Sequence, residues 1–270
     1  MTERLPDGER RIAAAFESAR AEGRAALMPY VMGCFPDEET AGAVASAYVE
    51  AGADLVEVGV PFSDPLADGP VIHAAATRAL AGGATFERSL GVCAALGDGV
   101  PAVVMCYANM VQALGPRRFA SRLSEAGAAG AIVPDLPLEE ASETRDALGE
   151  RGLALVPLVA PTTPDERRRR ICASARGFVY VVSLVGVTGE RERLPEGLAA
   201  NVAAVRADAD VPVAVGFGIG TPEQAAEVGR IADGVIVASR LVREVGQATD
   251  PASAARAVAS FLRGARAAMG

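Results

Sequence analysis

Ala53-Asp54-Leu55-Val56-Glu57-Val58-Gly59-Val60, followed directly by Pro61-Phe62-Ser63-Asp64-Pro65-Leu66-Ala67-Asp68-Gly69-Pro70, is the stretch that decides how this chain folds. Its first part reads as a buried strand. Side chains alternate across a strand, so Val56, Val58 and Val60 share one face and Leu55, Glu57 and Gly59 share the other. An ionised carboxylate on a packed face is costly unless it is paired or used. Glu57 is therefore the residue to explain, and the loop behind it adds Asp64 and Asp68.

Outward from this strand, short valine-rich runs alternate with amphipathic, alanine-rich stretches. The other runs are 28–32, 102–107, 130–135, 153–159, 178–183, 211–217 and 234–238. Helices are expected between them. Asp37 to Ala51 opens on a capping aspartate, Pro137 to Glu150 carries acids in its first turn, and Pro222 to Ile231 follows Thr221 as a cap. The last helix runs from about Pro251 to Ala267, and an extra helix, Glu9 to Ala21, precedes the first strand. Eight strand–helix alternations in 270 residues fit an α/β fold, a single (β/α)₈ TIM barrel with an extra N-terminal helix. An open doubly wound sheet is the alternative, but it needs fewer repeats. No linker interrupts the pattern, so 1–270 is expected to form one domain. In a barrel Val56, Val58 and Val60 would pack outward on helices, and Glu57 would point into the lumen towards its upper end.

Composition narrows the chemistry. The formal net charge is −8, which disfavours nucleic acid. No apolar run spans a bilayer and the first residues lack a signal-peptide core, so a soluble, cytoplasmic chain is expected. Cys34, Cys93, Cys106 and Cys172 form no CxxC pair and read as reduced, buried thiols. The only histidine is His73, in the apolar stretch 71–76, which disfavours zinc and a Ser-His-Asp triad. The sequence contains no lysine, which excludes a lysine Schiff base. Carboxylates are what remains for acid–base work.

In barrels the chemistry sits where strands end. A carboxyl inside an apolar lumen has its pKa raised and can shuttle a proton, which suits Glu57; Asp68, in the following loop, can stay ionised and stabilise positive charge. After the seventh strand comes Gly216-Phe217-Gly218-Ile219-Gly220-Thr221, and after the eighth Ala238-Ser239-Arg240. Loops seven and eight of barrels often hold phosphate on backbone N–H groups. Loop six, 186–197, is long and charged and reads as a lid. The run Arg167 to Arg170 reads as a solvated helix face.

The motif 57–70 closely resembles the signature of the tryptophan synthase α subunit family. Tyr107-Ala108-Asn109, Pro134-Asp135-Leu136-Pro137, Gly186-Val187-Thr188-Gly189 and Val215-Gly216-Phe217-Gly218-Ile219 match the same family in the same order. The resemblance implies a barrel that cleaves indole-3-glycerol phosphate to indole and glyceraldehyde 3-phosphate, a retro-aldol reaction with no cofactor or metal in this subunit. It implies Glu57 as the acid–base group and Asp68 as the partner of the indole N–H. It places Gly189, Gly218, Ala238 and Ser239 around the phosphate, and Thr188 on the closed lid near Asp68. Tyr180, Tyr107 and Leu27 fall at pocket-lining positions, Leu27 where a phenylalanine is usual; Ala238 replaces a common glycine. A pyridoxal-phosphate β subunit is the implied partner, in an αββα assembly, met or signalled to by Pro61, Asp64, Asn109, Asp135 and Pro137. A stand-alone indole-releasing lyase, a non-catalytic activator of a β protein and a sugar-phosphate epimerase are the competing readings; retention of Glu57 and Asp68 disfavours the second, and the shortage of metal ligands the third.

Overall fold

The computed structural model of the chain describes residues 7–97, 99–182, 196–216 and 218–270. Its strands are β1 (Ala26–Met32), β2 (Val56–Gly59), β3 (Ala102–Met105), β4 (Gly130–Ile132), β5 (Ala154–Val156), β6 (Leu158–Val159), β7 (Val179–Val182), β8 (Val213–Gly216) and β9 (Gly234–Val237). All pair in parallel, in the order β5-β4-β3-β2-β1-β9-β8-β7-β6. The two ends of that order are halves of one apolar run. Pro157 separates β5 from β6 and has no N–H for a ladder, while its carbonyl accepts from Tyr180 N at 3.0 Å. β5 pairs with β4 and β6 with β7. The run 153–159 therefore acts as the single fifth strand that the sequence suggested, and it joins the two sides of the eight-stranded barrel.

The helices are α1 (Asp7–Ala21), α2 (Glu38–Glu50), α3 (Pro70–Ala81), α4 (Phe86–Leu96), α5 (Ala108–Leu114) and α6 (Pro116–Glu125). They continue with α7 (Ser142–Gly149), α8 (Asp165–Ala173), α9 (Leu198–Asp208), α10 (Pro222–Gly229), α11 (Ser239–Gln247) and α12 (Pro251–Met269). Asp37 caps α2 by accepting from Thr40 N, and Thr221 with Gln224 forms a capping box on α10. The expected helix from Pro137 is corrected: 137–141 form turns, with Glu140 N on Pro137 O, and α7 begins at Ser142. The arginine run lies on α8 and is solvated as expected at Arg167, Arg169 and Arg170, with side chains 40%, 62% and 56% exposed, whereas Arg168, only 13% exposed, pairs with Asp208. No helix among the described residues is long and apolar enough to cross a membrane.

Alternation sorts the core into two layers. Val56, Val58 and Val60 join the layer under the helices. Met28, Leu55, Val103, Ile132, Val156, Phe178, Ala214 and Ile236 fill the lumen. The N-terminal helix belongs to the second layer: Ile12, Phe16 and Ala19 of α1 pack on the lumen residues. The Phe16 and Phe178 rings lie 5.7 Å apart. Gly8 lets α1 dock, because a Cβ there would stand 2.3 Å from the Ala129 carbonyl oxygen. All four cysteines are buried free thiols.

One buried ion pair ties the sheet to its approach segment. Arg24 donates to Asp54 through Nη1 at 2.5 Å and Nη2 at 2.8 Å, and Asp54 also accepts from Leu27 N at 2.7 Å. The side chains are 3% and 9% exposed. Asp54→Ala is expected to lower the unfolding free energy by about 3 kcal/mol, because the buried Arg24 guanidinium loses its two-pronged partner and keeps only the half-exposed Glu22. Urea denaturation measures the loss; a change under 1 kcal/mol would show that water replaces the carboxylate.

Candidate active site

Glu57 sits at the centre of β2, opposite Tyr30 of β1 on one side and Val103 of β3 on the other. It shares Leu55's face and so enters the lumen, where it is 2% exposed. No ion pair holds it among the described residues, and its Oε2 meets no hydrogen-bond partner. Burial, helped by the charge of Asp68, pushes its carboxyl up from 4.5 to about 8. Asp68 lies half-buried in the loop between β2 and α3. Burial raises it to about 6, against a hydrogen bond from Tyr107 and the proximity of His73, which both favour the anion. Near neutral pH the pair is therefore split. Glu57 carries a proton and Asp68 a charge, the division that general acid catalysis beside a developing cation requires.

Three of the four tyrosines of the sequence gather here. Tyr30, Tyr107 and Tyr180 all feel the Asp68 charge, and burial holds their hydroxyls well above the ordinary value. Tyr48 donates to the Tyr30 carbonyl at 2.9 Å. Tyr107 accepts from Ala67 N at 3.2 Å and stacks on Phe62 with centroids 5.1 Å apart, which fixes the Asp68 loop from below. Two strand-end glycines make room for the other rings. A Cβ on Gly59 would stand 1.8 Å from the Tyr30 hydroxyl oxygen, and one on Gly216 would stand 2.2 Å from that of Tyr180.

The expectation that Leu27 lines the pocket is corrected. Leu27 is fully buried in the layer under the helices, with Val235 beside it on β9. Alternation along β1 sends Met28 and Tyr30 inward instead. Tyr30 is the aromatic that the sequence reading missed. The signal available was a polar-tipped ring two residues before the end of the first strand, where barrel chemistry gathers.

Beside the loop that carries Asp68 lies a cavity of about 620 Å³, whose described lining includes neither Glu57, Asp68 nor Tyr107. Tyr180, Gly218, Ala238 and Ser239 line it, as do Asp135 and Pro137 on the opposite side. Ala67, next to Asp68, also reaches its wall. Ser239 opens α11, so the free N–H groups of that helix face the glycine-rich end, where an anion is favoured. The side chain at Ala238 leaves Ser239 within this wall, so the departure from glycine does not close it. Thr188 and Gly189, with most of the lid segment, lie outside the described residues.

The residues expected to face a partner divide. Asp64 and Asn109 are exposed, and Asp64 accepts from Ser63. Asp135 is half-buried and accepts from Ala108 N at 2.8 Å, holding the start of α5. Pro137 is half-buried at the cavity wall. Pro61 is buried by its own chain, where it shapes the loop that carries Asp64 and Asp68. Leu66, in the same loop, is 81% exposed.

A parallel barrel with one protonated and one ionised carboxyl beneath an anion-favouring rim defines an acid–base enzyme. The comparisons say which. The model of the tryptophan synthase alpha chain family matches residues 16–269. The tryptophan synthase alpha chain of Roseiflexus castenholzii is 49% identical over 256 residues, covering 94% of this chain and 98% of that one. That of Gluconacetobacter diazotrophicus is 48% identical over 243 residues, 89% of each. A chain of Mycobacterium tuberculosis tryptophan synthase superposes with a TM-score of 0.89 at 38% identity, over 96% of this chain and 98% of that one. The chain belongs to the tryptophan synthase alpha chain family.

The raised carboxyl has a stability consequence. A folded state that holds the Glu57 proton more tightly than the unfolded chain loses stability as pH climbs from 4.5 to about 8. Glu57→Gln removes that loss. The variant is expected to exceed the parent in unfolding free energy by up to about 4 kcal/mol at pH 9 and by far less at pH 5. Denaturant titration at both pH values decides it; an equal gap at the two would mean that Glu57 is solvated in the fold.

Proposed function

We infer that this chain, acting as one barrel domain in the cytoplasm, is the lyase subunit that cleaves indole-3-glycerol phosphate to indole and glyceraldehyde 3-phosphate. The observation that carries the reading is the buried, unpaired Glu57 carboxyl beside a hydrogen-bonded Asp68. The proton balance closes on one residue. Protonated Glu57 gives its proton to indole C3, and Asp68 accepts the indole N–H and stabilises the cationic ring. Glu57, now a carboxylate, takes the proton from the glycerol hydroxyl beside the scissile bond. The carbon–carbon bond breaks, its electrons return to the ring, and the hydroxyl becomes the aldehyde. Gly218, Ala238 and Ser239 hold the phosphate, joined by Gly189, with Thr188 over Asp68. Tyr107 and Tyr180 enclose the indole.

The β subunit of tryptophan synthase is the partner, in an αββα assembly, and it receives the indole. Asp64, Asn109, Asp135 and Pro137 carry the contact; they follow the adjacent strands β2, β3 and β4, and the first of these strands bears Glu57, which links docking to chemistry.

Indole release by the purified chain tests the reading. kcat/KM is expected to peak between about pH 6 and about pH 8, with Asp68 setting the acid limb and Glu57 the basic one. Glu57→Gln is expected to fold and to lose cleavage by about 10³-fold or more; turnover near the parent's would refute the assignment. Asp64→Ala is expected to leave basal indole release within about two-fold and to weaken activation by an added β subunit, a result that unchanged activation would contradict.

A further inference from the structure

Tyr30 and Glu57 are direct partners across the β1–β2 ladder, and the Tyr30 ring lies over Gly59, on the strand face that Glu57 shares. Strands so paired lie about 4.8 Å apart. Each residue is polar, buried and short of a proper hydrogen bond. Among the described residues Glu57 Oε2 has no partner, and the Tyr30 hydroxyl donates only to Met32 Sδ at 3.7 Å, a weak acceptor. Buried polar groups are ordinarily satisfied, and an exception inside an active site marks a role. The ring is held firmly. Tyr48 clamps the Tyr30 carbonyl at 2.9 Å, and Gly59 leaves space where any side chain would strike the hydroxyl.

We propose that Tyr30 is a positioning residue for Glu57: its hydroxyl donates to the carboxylate that Glu57 becomes after protonating the ring, and holds it until the glycerol proton arrives. The proposal rests on the acid–base role of Glu57 given above. No bond other than the hydrogen bond changes. The phenol keeps its proton throughout and turns its O–H from sulfur to oxygen. Asp68 is the competing acceptor and acts on Tyr30 more strongly than Glu57 in the resting site. Tyr107 already donates to Asp68, which leaves the Tyr30 proton for Glu57 once that group ionises. The groups facing Glu57 are Tyr30 from β1, Asp68 from the loop after β2 and Tyr180 from β7; Tyr107 from the end of β3 and His73 of α3 act on Asp68.

The experiment is the pH profile of indole release by the full chain and its Glu57→Gln, Tyr30→Phe, Tyr30→Gln and Met32→Leu variants. Tyr30→Phe is expected to lower kcat roughly ten-fold with KM within two-fold. Its basic limb moves to higher pH, because a donor to the charged form is gone, and its acid limb stays in place. Tyr30→Gln, which keeps a donor, holds the basic limb near the parent's, also if Tyr30→Phe folds poorly. Met32→Leu leaves both limbs where they are. An unmoved basic limb in Tyr30→Phe, a shift of the acid limb instead, a basic limb in Tyr30→Gln displaced as in Tyr30→Phe, or the same change in Met32→Leu overturns the proposal while the lyase reading stands. Indole release that survives in Glu57→Gln brings down the reading and the proposal together.

Discussion

The desolvation of one carboxyl is the constraint around which the upper half of this barrel is arranged. Alternation along β2 leaves Glu57 no choice of side: its valine neighbours are needed under the helices, so it must enter the lumen. A charge there would be expensive, and the lumen answers by keeping the group protonated rather than by neutralising it with a cation. An arginine in the same place would be the stabilising choice and would abolish the proton. The chain has 26 basic residues, all arginine, and none is paired with Glu57 among the described residues. Stability is given up at the residue where proton transfer needs it.

The aromatic and glycine positions follow from the same constraint. A dry lumen needs bulky walls, but the walls near two carboxyls must offer hydroxyls rather than bare hydrocarbon. Tyrosine satisfies both demands. Each ring leans over the backbone two residues above its cross-strand partner, and Gly59 and Gly216 are the bare backbone that permits it. These glycines are thus packing residues for a catalytic wall. That differs from the flexible-turn role that glycine usually suggests.

Much of this was legible in the chain itself. The strand count, the two-faced reading of 55–60 and the inward direction of Glu57 came from alternation alone, and the long motif 57–70 fixed the family. What was not legible depended on the third dimension. The break at Pro157 looks like one strand in sequence, and only the closing of the barrel separates its halves. Pro137 carries a helix-start signal, yet the chain turns through Ala141 because its carbonyl at 137 is used within the turn. Leu27 was placed in the pocket by resemblance alone, and the ladder to β2, where Tyr30 meets Glu57, shows that it takes the other face of β1. Pro61 sits inside the same signature, and nothing in its spacing reveals that its own chain covers it.

The docking of α1 against the lower lumen has one more consequence. With Ile12, Phe16 and Ala19 wedged under Phe178, the barrel resembles a cup with a sealed base. Everything that reacts must come in over the rim, and everything formed must go out over it. An apolar product released at the bottom of such a cup cannot drain downward through the protein. Its exit is the same edge that carries Asp64 and the exposed Leu66, so a subunit seated on that edge would control both traffic and timing.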